Sequence, residues 1–320
     1  MYKKTNLKIG ILMDSIESIN IKKDSSFAIL LESQKRNHAI YYMEMNDIFL
    51  KKGHPYARTR LIKLKKNIKK WHEFIKEENI PLSELDVILM RKDPPFDTEF
   101  IYATYILERA EETGVLIINK PQSLRDCNEK MFISWFSDLT PDTLVTRNVF
   151  EIHKFWKKHQ DIIIKPLDKM GGASIFRIKK HDPNFSVIIE TMTKYGKKYC
   201  MIQNYLPEIK FGDKRILIVN GKPIPWCVAR IAPTGETRAN LALGGKGKIQ
   251  SLSEMDWKIA NYLSPILKKK GLIFVGLDVI GNKLTEINVT SPTCICEIES
   301  AKNISITGML LDYIEKKILH

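Results

Sequence analysis

Phe274-Val-Gly-Leu-Asp278 and Leu284-Thr-Glu-Ile-Asn-Val-Thr-Ser-Pro292, with Gly281-Asn282 between them, form the stretch on which the reading of this chain turns. Both arms are rich in β-branched residues and Gly-Asn is a turn signal, so the pattern predicts a hairpin. Along the second arm Glu286, Asn288 and Thr290 fall on one face and Ile287 and Val289 on the other, because side chains alternate along a strand. Oxygen-bearing side chains on one face, beside a strand carrying Asp278, are the donor set of a hard cation such as Mg²⁺, which shares such ligands with phosphates. A solvent-facing polar face accounts for the same pattern, and strand parity separates the two. A loop of only Gly281-Asn282 would set Asp278 opposite Thr285, whereas a loop running to Lys283 sets it opposite Glu286. The metal reading therefore predicts an odd-length loop.

Working outward, the 320 residues are enough for two domains, and 44% hydrophobic with 28% charged is the balance of a soluble globular protein. No apolar run approaches the roughly 18 residues of a membrane span. The N-terminus runs Met1-Tyr-Lys-Lys-Thr-Asn6 into a short apolar run, Ile9 to Met13, which reads as a first strand rather than a signal peptide. A cytoplasmic location is expected. The five cysteines are odd in number, scattered and without a zinc or redox pattern, so free thiols are expected.

The formal charge is +14, and its densest source is Arg58, Arg60, Lys63, Lys65, Lys66, Lys69 and Lys70, followed by Trp71. Such a run suits a nucleic-acid or acidic-lipid surface, and equally a solvated surface helix. No ribonucleoprotein, helix-turn-helix or zinc pattern accompanies it, so neither nucleic acid nor membrane is expected as a partner. A positive field also serves anionic small substrates.

In chain order, Leu7 to Met13 reads as a buried strand, Asp24-Ser-Ser26 as the N-cap of a helix over Phe27 to Arg36, and Ala39 to Met45 as a second strand. That β-α-β order predicts an open α/β sheet. The stretch from about Phe49 to Ile80 reads as a loop and a surface helix. Leu85 to Met90 reads as a strand delivering Arg91 at its carboxyl end, where open sheets gather ligands. Asp97-Thr98 caps a helix over Glu99 to Glu112, Val115 to Ile118 is a strand, and Asn119 to Asn128 a polar connection, with the domain boundary near Asn128. Glu129-Lys130-Met131 opens a new helix. Beyond it, Asp161 to Lys165 and Ile175 to Ile178 are strands around Pro166-Leu-Asp-Lys-Met-Gly-Gly-Ala-Ser174, whose glycines can turn backbone N–H groups toward an anion. The spacing is not that of a Walker motif. Tyr199 to Leu206, Ile216 to Val219 and Trp226 to Arg230 are further strands, the last two joined by Asn220-Gly221. Residues 231–248 carry four glycines and read as a mobile loop. Helices over Ser253 to Lys269 and Ile306 to Leu319 complete the pattern.

Taken together, Met90-Arg-Lys-Asp-Pro-Pro-Phe-Asp97, Asn119-Lys-Pro-Gln-Ser-Leu-Arg-Asp-Cys-Asn128, Met170-Gly-Gly-Ala-Ser-Ile-Phe176 and Leu284 to Pro292 resemble the ATP-grasp carboxylate–amine ligases, and within them the bacterial glutathione synthetase family. The resemblance covers essentially the whole chain. It implies an N-terminal open α/β (pre-ATP-grasp) domain over 1–128 and an ATP-grasp domain over 129–320, with lobes at about 129–205 and 206–320 enclosing ATP. The implied reaction joins γ-glutamylcysteine and glycine through an acyl phosphate made from ATP. Lys130 and Lys165 would neutralise phosphates under the Gly171-Gly172 loop. Gln203, Asn204, Tyr205 and Leu206 would meet adenine, and Asp213 the ribose. Asp278, Glu286 and Asn288 would hold Mg²⁺, with Mn²⁺ the other candidate. Arg215 and Arg230 would stabilise developing negative charge, Arg238 and Asn240 would close over the intermediate, and Arg91 and Ser291 would meet the dipeptide's carboxylates. The resemblance also implies a homotetramer. Two positions depart from the family: Lys169 replaces a usual glycine, as an added phosphate contact or a point of strain, and Cys296 a common arginine. Rival readings are another ligase of the superfamily, joining glutamate to a peptide tail or D-alanine to D-alanine, and a basic nucleic-acid binder.

Overall fold

The structure is a computed structural model that describes residues 6–65, 70–233 and 244–319. It opens with β1 (Lys8–Leu12), α1 (Ser25–Lys35) and β2 (Ala39–Met43). The Asp24 carboxylate caps α1, accepting from Phe27 N at 2.6 Å. The stretch expected as loop and surface helix is instead three strands: β3 (Ile48–Lys51), β4 (His54–Leu64) and β5 (His72–Pro81). Its basic residues misdirect because they alternate with buried ones. Pro55, Ala57 and Thr59 face inward and Arg58 outward, the two-residue period of a strand. The charges are also compensated: Arg58 and Arg60 both meet Asp47, and Lys65 meets Glu73 at 2.5 Å. Lys66 and Lys69 lie outside the described residues.

β6 (Val87–Met90), α2 (Thr98–Glu111), β7 (Leu116–Ile118) and α3 (Pro121–Asp126) follow. Helix α2 buries Phe100, Ala103, Leu107 and Ala110, the face its periodicity predicts. The expected polar connection after β7 contains α3, opened by Pro121 at its first turn, a start signal that the reading as a connection passed over. β2, β1, β6 and β7 are parallel neighbours, and β4 extends the sheet antiparallel on the β2 side, with β3 and β5 on it.

The next unit holds β8 (Thr143–Thr146), α4 (Val149–His159), β9 (Asp161–Pro166), β10 (Phe176–Lys179), α5 (Phe185–Thr193) and β11 (Cys200–Asn204). Its four strands are antiparallel in the order β10-β9-β11-β8. A separate core of Ile152, Ile162, Ile164, Ile178, Ile189 and Ile202 holds its helices to its sheet. The helix expected from Glu129 is a 3-10 segment, Met131–Leu139, so Lys130 stands just before it rather than within it.

The last unit is β12 (Asp213–Val219), β13 (Lys222–Ile231), β14 (Lys246–Ser251), α6 (Glu254–Lys269), β15 (Phe274–Ile280), β16 (Lys283–Asn288), α7 (Ile295–Ala301) and α8 (Ile306–Leu319). Its antiparallel order is β14-β13-β12-β15-β16. The end of the expected mobile loop is strand: Lys246, Gly247 and Lys248 pair with Ile231, Arg230 and Ala229, glycine notwithstanding. Residues 234–243, the centre of that loop, lie outside those described. Asn119 ties this unit to the first sheet. Its side chain accepts from Ile273 N and Phe274 N and donates to the carbonyls of Phe274 and Val289, all within 2.6–2.9 Å.

The hairpin that opened the sequence reading corrects the parity argument. Ile280 faces Lys283 across Gly281-Asn282, so the loop is even and not odd. Asp278 nevertheless faces Glu286. The ladder shifts between Asp278 and Val279, which leaves Thr285 as the extra residue of a β-bulge. The bulge supplies the residue that the turn does not.

Candidate active site

Two hollows meet between the four-stranded and five-stranded sheets. The larger spans about 1010 Å³ and the second about 670 Å³, both open to solvent. Met170, Gly171, Arg215 and Asn288 line both, so they form the junction.

Lys130 and Lys165 both line the larger hollow, and both reach β16. The Lys130 ammonium donates to Glu286 Oε1 at 2.9 Å and to the Lys169 carbonyl. Burial works against its charge, yet Glu286 lifts its pKa above the ordinary lysine value. Lys165, near the end of β9, donates to the Thr285 carbonyl at 3.2 Å, the group that the bulge turns toward it. Burial pulls its pKa down to about 8, with Glu286 only partly opposing. The loop above them carries Gly171 and Gly172 at φ of +66° and +77°. Such angles suit glycine, which pays no Cβ penalty there. Lys169 has no positive φ, so the strain reading of this departure fails; its ammonium instead donates to Ser174 Oγ at 3.2 Å, spanning the loop.

Gln203, Asn204, Tyr205 and Leu206 line one wall at the end of β11. Asn204 Oδ1 and Asp213 Oδ1 are buried acceptors without a partner. A buried acceptor left open is costly, so these two mark where a bound molecule's donors belong. Burial raises the Asp213 pKa to about 6, against the pull of Arg230.

Asn288 donates its amide to the Gly276 carbonyl at 3.2 Å. With Glu286 it offers carboxylate and amide oxygens, a set that suits Mg²⁺ when phosphates complete the shell. Asp278 is differently placed. At 4% exposure its oxygens lie 2.5 Å from Arg215 Nε and 2.8 Å from Arg230 Nη2. Burial would raise its pKa, but the two guanidinium groups hold it well below the carboxylate range. As a metal ligand Asp278 would have to share its oxygens with these two guanidinium groups. Among the described residues, no three His, Cys, Asp or Glu side chains gather as a metal cluster.

The second hollow is lined by Arg215, Arg230, Asp93, Glu129, Ser291 and Cys294, among others. Ser291, expected to meet a substrate carboxylate, donates its hydroxyl to Asp93 Oδ1. Arg91 lines neither of these hollows. Its Nε donates to Ser26 Oγ at 3.0 Å and its Nη2 to the Pro292 carbonyl at 2.9 Å, so it braces α1 against the chain beyond Ser291. Cys296 donates to the Asp24 carbonyl at 3.4 Å, away from the same lining. Arg238 and Asn240 lie outside the described residues.

Sequence reasoning passed over Asp93, Glu129 and Thr285. Asp93 stood inside a quoted motif, and Glu129 adjoined Lys130. Glu129 is buried, and its Oε1 accepts from Val289 N, Thr290 N and Thr290 Oγ1, which fixes the chain after β16. The Thr285 carbonyl had no signal in the sequence.

The family models for prokaryotic glutathione synthetase match almost the whole chain, the N-terminal domain over residues 7–125 and the ATP-grasp domain over 129–303. The chain belongs to the prokaryotic glutathione synthetase family. It is an ATP-dependent ligase of glutathione biosynthesis. It is 82% identical to the glutathione synthetase of Buchnera aphidicola from Acyrthosiphon pisum, over 99% of both chains. Against that of Escherichia coli K12 it is 65% identical, over 98% of this chain and 99% of the other. Among solved structures, a D-cycloserine synthetase shares the fold of this ligase at a TM-score of 0.67 and 12% identity, covering 98% of this chain and 100% of that one. The D-alanyl-alanine synthetase A of Vibrio cholerae does so at 0.60 and 15%, covering 99% of each.

Proposed function

We propose that the larger hollow binds ATP and the second binds γ-glutamylcysteine and glycine, with the two joined at Arg215 and Gly171. The observation that carries this reading is the shared junction itself: two buried ammonium groups stand on one side of it, and two guanidinium groups reach the other. Lys130 and Lys165 neutralise the phosphates, while N–H groups of the Gly171-Gly172 loop close over them. Asn204 Oδ1 accepts from the adenine amino group, and Asp213 Oδ1 from a ribose hydroxyl.

The cysteinyl carboxylate of the dipeptide attacks the γ-phosphorus, giving an acyl phosphate and ADP. Arg215 and Arg230 face the charge that develops there, and again when the glycine amine attacks the acyl carbon and phosphate leaves. Arg238 and Asn240 belong to the segment assigned to exclude water from the acyl phosphate. Glu286 and Asn288 would hold Mg²⁺ or Mn²⁺, which supplies neutralising charge to the β- and γ-phosphates when bound. Asp278 would join them while shared with Arg215 and Arg230.

Residues 1–128 serve as the N-terminal domain, and lobes at 129–205 and 206–320 close on the nucleotide. A cytoplasmic homotetramer completes the reading. Among the described residues, no helix is long and apolar enough to cross a membrane. The test is phosphate release from ATP and Mg²⁺ with γ-glutamylcysteine, with and without glycine. Glycine-dependent release with formation of glutathione is expected. Release that ignores glycine, or that follows D-alanine instead, refutes the assignment.

A further inference from the structure

The second hollow has a corner that does not match the role the sequence suggested for it. Asp93, Ser291 and Cys294 line this hollow and not the larger one, so they stand away from the nucleotide side of the junction. The Ser291 hydroxyl gives its proton to Asp93 Oδ1, and so is spent as a donor. What the corner presents is a carboxylate. Of the neighbouring carboxylates, Asp14 is paired with Lys92 at 2.7 Å and accepts from Asp93 N at 2.9 Å, while Glu129, in no ion pair within 4.0 Å among the described residues, gives its Oε1 to three donors from the chain after β16. Asp93 is in no ion pair within 4.0 Å among the described residues. Arg91, behind it, supplies only a partial balance while its own bonds go to Ser26 and Pro292. Burial pushes the Asp93 carboxyl above its ordinary pKa, as expected for an anion awaiting a counter-charge.

We propose that Asp93, positioned by Ser291, binds the α-ammonium group of the γ-glutamyl moiety and so selects substrates that carry it. This rests on the assignment of the second hollow to the dipeptide. The chemistry favours that amine over glycine's. The glycine nitrogen must be neutral to attack and must sit at the junction, where the acyl phosphate forms. A carboxylate that stabilises an ammonium would hold such a nucleophile protonated. The γ-glutamyl amine does not react and lies at the opposite end of the dipeptide from the reacting carboxylate. A charge pair in this half-buried corner discriminates against a substrate that leaves its carboxylate unmatched.

The experiment compares γ-glutamylcysteine with glutarylcysteine, the same skeleton without the α-amino group, on the full-length enzyme and on Asp93→Asn. The wild type is expected to prefer γ-glutamylcysteine in kcat/KM by at least about 30-fold. Asp93→Asn should lose about that factor on γ-glutamylcysteine and change less than about threefold on glutarylcysteine, with KM for ATP unmoved. Asp93→Glu, which keeps the charge, should retain a preference, and it carries the test if the asparagine variant fails to fold by thermal melting. Equal losses on both substrates would make Asp93 a base or a structural residue and overturn the proposal, as would an unchanged preference in Asp93→Asn. A wild type that forms no glutathione at all would instead remove the assignment of the hollow.

Discussion

Replacing Asp278 by asparagine tests the charge arrangement at the junction. In the native chain one carboxylate, 4% exposed, lies 2.5 Å from Arg215 Nε and 2.8 Å from Arg230 Nη2. Removing one member of a buried ion pair costs about 3–5 kcal/mol, because the remaining charge stays out of water. Arg230 keeps Asp213 as a second partner, whereas Arg215 has no other ion pair within 4.0 Å among the described residues. That places the loss near the lower figure, about 3 kcal/mol. At about 2–4 °C per kcal/mol for a large domain, the melting temperature should fall by roughly 6–12 °C. Differential scanning calorimetry without ligand measures it. The variant's cluster carries one more net positive charge, so added sulfate or ADP should raise its melting temperature more than the wild type's. A melting temperature within about 2 °C of wild type would refute the reasoning, since the two guanidinium groups would then be indifferent to the carboxylate.

Glu286→Gln should lower glutathione formation by at least about 100-fold with an unchanged circular dichroism spectrum, and near-normal turnover would remove Glu286 from the phosphate site. Lys169→Gly relieves no strain, because Lys169 has no positive φ, and it loosens the loop; it should cost about 0.4–1 kcal/mol, read as a slightly lower melting temperature, and a gain in stability would restore the strain reading. Burial raises the thiols of Cys127 and Cys200 to about 11 and of Cys227 to about 12. The unfolded chain therefore releases these protons first, near pH 9, so their stabilisation is full below that pH and is lost as pH climbs toward 11–12. Native protein at pH 8.5 should take up little or no iodoacetamide, against five adducts in denaturant, because a thiol of pKa about 11 is under about 1% thiolate there and burial pushes even the partly exposed Cys296 up to about 12. Rapid labelling of Cys127 in the native protein would contradict this burial.

Much of the site was legible because its residues lie on strands with clear alternation. Glu286 and Asn288 share a face for that reason alone, and Lys165 follows from one strand and one glycine pair. Longer-range facts were not legible. The basic stretch 54–65 reads as a helix when charge is counted and as a strand only when the buried Ala57 and Thr59 between the charges are noticed. The commitment of Asp278 to Arg215 and Arg230 joins β15 to the earlier β12–β13 hairpin, Arg215 lying 63 positions away. Ser291 looked like a donor for substrate because its partner, Asp93, lies 198 positions away.

The bulge at Thr285 also fixes which changes to this hairpin the enzyme can absorb. Since the turn does not set the alignment of Asp278 with Glu286, exchanges at Asn282 that preserve an even turn should be neutral to the chemistry. Gly281 is less free: its φ is +57°, and a Cβ there would come within 2.9 Å of Glu208. A length change on the β16 side of the turn is another matter. One residue added between Lys283 and Glu286 would turn Glu286 and Asn288 together onto the apolar face and bring Ile287 into the cleft. For insertions and deletions, then, the sensitive point is not the exposed loop tip but a threonine in mid-strand, where one peptide unit keeps Glu286, Asn288 and Lys165 in phase.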